Sequence, residues 1–401
     1  MSDQHSTRRT VVKTGAAMLG ALSMMGVQAS SGQVAAPAGP RHGQSPSSPA
    51  AQPRQVTRVA RFEHQGRVQW GLVLASGLLP LPGEFASTGD FIRHHDADEL
   101  QQRLATPASG HRALIPWADV ALLSPVTRDQ QFICQGANYR QHMIESGLDP
   151  DAQSYNMIFT KATSCIVPAH SELIKPARVR FLDYEIELGL ILKRDVLSKT
   201  VVTTDNLHDY IAGMVIVNDY SARDIQIPQS QFYKGKSFRT FGPVGPFLCL
   251  LTRQDMPQLY RMQLTLTVNG EVRQRDSTAN WVHGPAATLT ELSGVQDLYA
   301  GDLLSTGTPA GCALSVPSPL KQRLGALLPE EARWAIFNKI QEERTGYLKA
   351  GDLVEARIRS ADGSIDLGVQ RNRVVDEDLT PAPATAGAAA ASWQPSTAAG
   401  R

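Results

Sequence analysis

From residue 56 onward, apolar residues recur either at every second position or in short unbroken runs. These are the patterns of half-buried and fully buried strands. Residues 56–75 alternate, V-T-R-V-A-R-F and then R-V-Q-W-G-L-V-L, with Gly66 between them, which predicts a hairpin. Apolar runs follow at 131–134, 186–192, 211–217, 264–268 and 303–305. Val268-Asn269-Gly270-Glu271 predicts a second hairpin, because Asn-Gly suits the positive φ angles of a type I′ turn. Helical spacing is rarer. Asp98–Ala105 predicts a short helix with Asp98 as N-cap. Residues 328–344 predict the clearest helix, with Trp334, Ile336, Phe337 and Ile340 near helical spacing and Pro329 where a first turn tolerates it. The chain therefore reads as α+β, mostly β. A small N-terminal α+β domain covers 56–125, and a larger domain covers 126–377.

The two ends depart from this pattern. Ser6 to Lys13 reads S-T-R-R-T-V-V-K, an apolar stretch runs from Gly15 to Val27, and Val27-Gln28-Ala29 has the small residues of a cleavage site. A charged start, a short apolar centre and such an end define an export signal. Arg8-Arg9 makes it resemble a twin-arginine signal, which predicts a periplasmic or otherwise exported protein; the alternative is a fortuitous basic start. Residues 30–55 then read as a flexible leader and 378–401 as a disordered Ala/Pro/Thr-rich tail.

Charge narrows the partners. The 401 residues carry 39 Lys and Arg against 38 Asp and Glu. Leaving out residues 1–29, with Arg8, Arg9, Lys13 and Asp3, gives 36 against 37, still near neutral. Neither a nucleic acid nor a polyanionic partner is indicated. Cys134, Cys165, Cys249 and Cys312 form no CxxC pair, which excludes a zinc ribbon, a thioredoxin-type site and a disulfide scaffold. Charges interrupt every long apolar run after the first thirty residues, so no membrane span is expected in the mature chain.

Candidate chemistry is concentrated between Asn138 and Thr308. In Leu182-Asp183-Tyr184-Glu185-Ile186-Glu187-Leu188, strand alternation puts Glu185 and Glu187 on one face with Asp183 in line. Two carboxylates so close repel unless a positive charge lies between them. The other reading is a solvent-facing polar edge. Met214-Val215-Ile216-Val217 is an apolar strand that ends in Asn218-Asp219. Glu185, Glu187 and Asp219 would make three hard oxygen ligands, suited to Mg²⁺, Mn²⁺ or Ca²⁺ rather than zinc. Asp219 by itself also reads as a turn residue. His142 and Glu145 stand at i, i+3, either an exposed helix pair or a general base oriented by a carboxylate. Gly235-Lys236-Ser237 is no P-loop, because position 230 is Ser; Lys236 reads as a cation fixed in a pocket or as a surface lysine. Asp302 to Gly311 runs from a strand into a Gly-rich loop, where backbone N–H groups and Thr308 would hold a carboxylate, or which is simply a tight turn.

Taken in order, N-Y-x-x-H-x-x-E, F-x-K, D-Y-E-I-E-L-G, V-N-D-Y-S-A-R-D-I-Q, K-G-K-S-F and S-T-G-T-P-A-G resemble the fumarylacetoacetate hydrolase family. The resemblance covers roughly 131–312, with an echo in Leu348-Lys349-Ala350-Gly351-Asp352. It implies a mixed β-roll or sandwich catalytic domain, a homodimer, and a central Mg²⁺ or Mn²⁺, with Ca²⁺ as the alternative. It implies metal ligands at Glu185, Glu187 and Asp219, catalytic roles for His142, Glu145 and Lys236, and substrate contacts at Arg223, Asp224, Gln226 and Thr308. The implied activity is hydrolysis of a C–C bond in a small 2,4-dioxo acid such as an acylpyruvate, with His142 and Glu145 activating water. Decarboxylation, isomerisation and hydration on the same site, or capture of an acidic ligand without catalysis, are the alternatives. The chain departs from the family after G-T-P-A-G, where Cys312-Ala313-Leu314 replaces the usual Val-Gly and an insert over 315–346 follows, expected to form a wall or lid of the site or a dimer contact.

Overall fold

The computed structural model describes residues 56–105, 113–151, 155–229, 231–314, 316 and 327–377. The export signal, leader and tail expected over 1–29, 30–55 and 378–401 lie outside the described residues, as do 315 and 317–326 of the insert.

Two adjacent strands, Ile186–Leu192 and Ile211–Asn218, are buried at every position. That is why both read as apolar runs, Glu187 apart: neither face meets water. They pair antiparallel, with Ile186 opposite Asn218. Leu303–Ser305 flanks the first of them, pairs in parallel with Phe132–Gly136, and leads to the edge strand Met157–Thr160. On the other side Leu248–Leu250 links Ile211–Asn218 to Thr57–His64. The expected hairpin, Thr57–His64 with Arg67–Leu74, thus extends the same 13-stranded sheet.

A second, five-stranded sheet is ordered Glu271–Ser277, Met262–Val268, Leu353–Ser360, Asp366–Asp376 and Leu173–Lys175. Asn269 and Gly270 join its first hairpin with φ of 52° and 83°, the geometry that Asn-Gly predicts. Leu188, Leu190, Met214 and Ile216 of the first sheet share one apolar core with Leu264, Leu266, Ala356 and Ile358 of the second. Burial of these inner faces holds the sheets together and seats the ends of the central strands inside the protein.

Two local expectations need correction. The helix Ala97–Ala105 is capped by Asp96, whose Oδ1 accepts from Glu99 N at 2.8 Å, rather than by Asp98. The expected 328–344 helix runs from Glu330 to Glu342, with Pro329 at its cap. Its Phe337 meets Phe181 edge-on, but Ile336 and Ile340 are 49% and 39% exposed. Propensity and spacing form this helix; only part of its apolar face finds a partner among the described residues. No described helix is long and apolar enough to cross a membrane.

Candidate active site

The expected continuous strand over 182–188 is broken. Leu182–Asp183 pairs with Ser221–Ala222, and a new strand starts at Ile186. Glu185 lies at the break and Glu187 in the new strand. The opposing strand ends at Asn218, so register delivers Asp219 beside them, with Asp219 N bonded to Glu185 O. Oxygens of Glu185, Glu187 and Asp219 lie within 4.8 Å of one another, and all three residues are buried.

Three buried cations balance them. Lys236 Nζ donates to Glu185 Oε2 at 2.7 Å and to Asp219 Oδ2 at 2.5 Å. Lys161 Nζ donates to Asp219 Oδ1 and to Phe241 O, the latter at 2.8 Å. Arg223 Nε donates to Asp183 Oδ2 at 2.8 Å, its Nη1 to Gln226 Oε1 at 2.8 Å, and its Nη2 lies 2.5 Å from Glu185 Oε1. Burial opposes ionisation of Glu185, but Arg223 and Lys236 overcome it and hold the carboxyl at about 2. Glu187 has no such cation. Burial first, then Asp219 and Glu185, push it up to about 8, even though it accepts from Ser305 Oγ and from Gly307 N at 3.1 Å. Lys236 is raised: burial works against its charge, and Asp219 and Glu185 outweigh that.

Two of these anchors have no assigned role in the sequence reading. Asp183, seen there only as in line with the glutamates, also accepts from Tyr184 N, Ala313 N and Leu314 N. It therefore joins Arg223 to the start of the insert. Lys161 belongs to the F-x-K motif, and its signal is a lone lysine after the apolar Met157-Ile158-Phe159.

A cavity of about 220 Å³ opens onto this cluster. Of the expected residues, His142, Glu185, Glu187, Arg223, Gln226, Lys236 and Thr308 line it. Thr308 is engaged elsewhere: its hydroxyl donates to Ile186 O and accepts from Gln274 Nε2, so it braces the loop. Asp224 points away from the cluster, accepts from Arg180 N at 3.0 Å, and lines a separate cavity with Ile225, Pro228 and Trp334. The reason is helical geometry, since consecutive residues of Arg223–Gln229 face different sides.

His142 and Glu145 share the helix Arg140–Glu145, but no hydrogen bond joins them. Glu145 Oε2 instead accepts from Gly311 N at 3.1 Å, and His142 Nδ1 is buried without a hydrogen-bond partner. Burial lowers the imidazole's pKa, with Arg223 and Lys236 adding to that and Glu185 and Glu145 opposing it, so His142 is neutral near pH 7. The insert contributes Val316 to the cavity wall, next to Leu314, whereas its helix flanks the Asp224 side instead.

The cluster suits a hard divalent cation. Its donors are all carboxylate oxygens, and one ion with metal–oxygen distances on the order of 2.1–2.5 Å spans their separation. The unneutralised Glu187 marks where positive charge is in deficit.

The model of the fumarylacetoacetate (FAA) hydrolase C-terminal family matches residues 131–375. The chain is 34% identical over 211 residues to the oxaloacetate tautomerase YisK of Bacillus subtilis, covering 52% of this chain and 68% of that protein. It is 30% identical over 284 residues to the mitochondrial oxaloacetate tautomerase FAHD2A of Bos taurus, covering 69% and 78%. The fold aligns at a TM-score of 0.60 and 28% identity with the fumarylacetoacetate hydrolase EaFAH of Exiguobacterium antarcticum, over 80% of this chain and all of that one.

Proposed function

The chain belongs to the fumarylacetoacetate hydrolase C-terminal family, and from that premise we propose a divalent-cation-dependent enzyme that removes a proton beside the 2-oxo group of a small 2-oxo acid. One observation carries the reading: three clustered buried carboxylates, with Lys236 bridging two of them, of which Glu185 and Glu187 line a cavity that a neutral histidine also lines. Mg²⁺ or Mn²⁺ held by Glu185, Glu187 and Asp219 would supply positive charge to the substrate's carboxylate and 2-oxo oxygens. His142 takes the proton from C3. Lys236 offsets the negative charge that develops on the oxo oxygen, and the apolar walls keep water from screening it. Arg223, fixed by Asp183 and Gln226, holds Glu185 in place. Two tautomerases among the relatives support proton transfer as the core step.

Hydrolysis of a C–C bond in a 2,4-dioxo acid is the second reading. It adds a water to the distal carbonyl, breaks the C3–C4 bond and expels a pyruvate enolate that takes up a proton, and activation of that water by the pair requires Glu145 to leave Gly311 N for His142. Glu145→Gln separates the two: it should leave proton exchange at C3 near the wild-type rate and depress hydrolysis.

The test is loss of the C3 proton signal of a 2-oxo acid in D₂O, followed by NMR with Mg²⁺- or Mn²⁺-loaded protein and Glu187→Ala as control. Exchange no faster than with metal alone would sink the proposal. His142→Ala should still bind metal and lose roughly 10²–10⁴-fold in rate. A wild-type protein that binds the acid without exchanging its proton would be a binder, not an enzyme.

Export through the twin-arginine route and assembly as a homodimer belong to the same proposal. An Arg8→Lys, Arg9→Lys variant that still reaches the periplasm would remove the first, and a monomer by sedimentation the second.

A further inference from the structure

The cavity is chemically two-ended. At one end stand the carboxylates and their cations. Most of the rest of the wall is apolar, chiefly Leu148, Met157, Phe159, Ile227, Phe232 and Leu314, with Gln135 and Ser146 as its uncharged polar members. Phe159 and Phe232 meet edge-to-face at 5.2 Å, which stiffens that side. Met157 and Phe159 sit two apart on the edge strand Met157–Thr160, so they present one face. Among the described residues that line the cavity, the cations are Arg223 and Lys236, and both are already bound to the carboxylate end.

From this arrangement we infer that the substrate is a 2-oxo acid with a short apolar tail, not a dicarboxylate. The inference rests on the function proposed above and concerns which member of that substrate class the site takes. With the acid and oxo groups at the carboxylate end, the remainder of the molecule lies against the apolar wall. A second carboxylate there would lose its water, and no cation among the described lining residues stands ready to replace it. A methylene in the same place gains from burial, about fourfold in affinity for each one.

Oxaloacetate and 4-methyl-2-oxopentanoate make the test. They have nearly the same shape and differ in carrying a carboxylate or an isopropyl group at the tail. Proton exchange at C3 of each is followed by NMR in D₂O with the metal-loaded full chain, above the metal-only background. The expected result is a kcat/KM at least roughly tenfold higher for 4-methyl-2-oxopentanoate, mostly through KM. Along 2-oxobutanoate, 2-oxopentanoate and 2-oxohexanoate, KM should fall about fourfold per methylene. Equal or better use of oxaloacetate overturns this inference and leaves the proposed function standing. No exchange on any of these acids overturns both. Met157→Arg, at a half-buried edge-strand position, puts a cation into the apolar wall and should shift the preference toward oxaloacetate. A folded variant with an unchanged preference would show that the tail does not lie on this wall.

Discussion

Lowering the pH from 8 to 6 should weaken divalent-cation binding about fiftyfold. The perturbation acts on Glu187, whose carboxyl is pushed up to about 8 by burial and by Asp219 and Glu185. A cation needs this carboxylate ionised. About half of it is ionised at pH 8 and about 1% at pH 6, so the two units cost about 2.3 kcal/mol. Glu185, held at about 2 by Arg223 and Lys236 against its burial, is ionised throughout and adds no slope. The sign for folding is opposite. A carboxyl raised from 4.5 to about 8 makes folding take up a proton between those values, so the stability of the metal-free protein falls as pH rises through that window. The assay is calorimetric titration with Mg²⁺ at pH 6, 7 and 8 in two buffers of different ionisation enthalpy. At pH 6 nearly one proton should leave per ion bound, and at pH 8 about half a proton. Glu187→Gln should bind weakly and without the slope. A Kd constant from pH 6 to 8, or binding without proton release, would refute the charge balance drawn for the cluster.

Other consequences follow from the same geometry. Asp183→Ala removes four hydrogen bonds, one of them to the buried Arg223, and should destabilise the protein by about 3–5 kcal/mol in denaturant unfolding. Lys161→Met strips Asp219 Oδ1 of its cation; stability should drop by about 3 kcal/mol without metal, and added Mg²⁺ should recover part of it, as read by melting with and without the ion. Gly307 has φ of +86°, and a Cβ there would meet Asn138 Cβ at 2.9 Å, so Gly307→Ala should cost about 1–3 kcal/mol and weaken metal binding by moving the N–H that Glu187 accepts. A variant as stable and as metal-competent as wild type would show that the loop adapts at no cost.

Much of the fold was legible because strand formation leaves a local mark. The run at 211–217 is apolar throughout, and that at 186–192 everywhere but Glu187, because both faces are covered, and alternation at 56–75 marks a hairpin whose faces differ. The join of that hairpin to the main sheet through Leu248–Leu250 was not legible, since backbone pairing between distant strands depends on no particular side chain. Of the candidate site, the pair Glu185 and Glu187 could be read from spacing. Asp219 could be read from its place at the end of an apolar strand, and the family's motif pattern separated it from a turn residue and Lys236 from a surface lysine.

Tertiary structure decided the rest. Register set Asp219 beside the glutamates, and burial then required each charge to find an opposite one, which assigned Lys161 to Asp219 and Asp183 to Arg223. Helical geometry turned Asp224 out of the site while keeping Arg223 in it. It was again a nonlocal contact, Gly311 N, that drew Glu145 away from His142. The sequence determines which groups are chemically able to act. Which of them face one another depends on strand register and on the energetic demand that buried charges be paired, and neither can be read from neighbours along the chain.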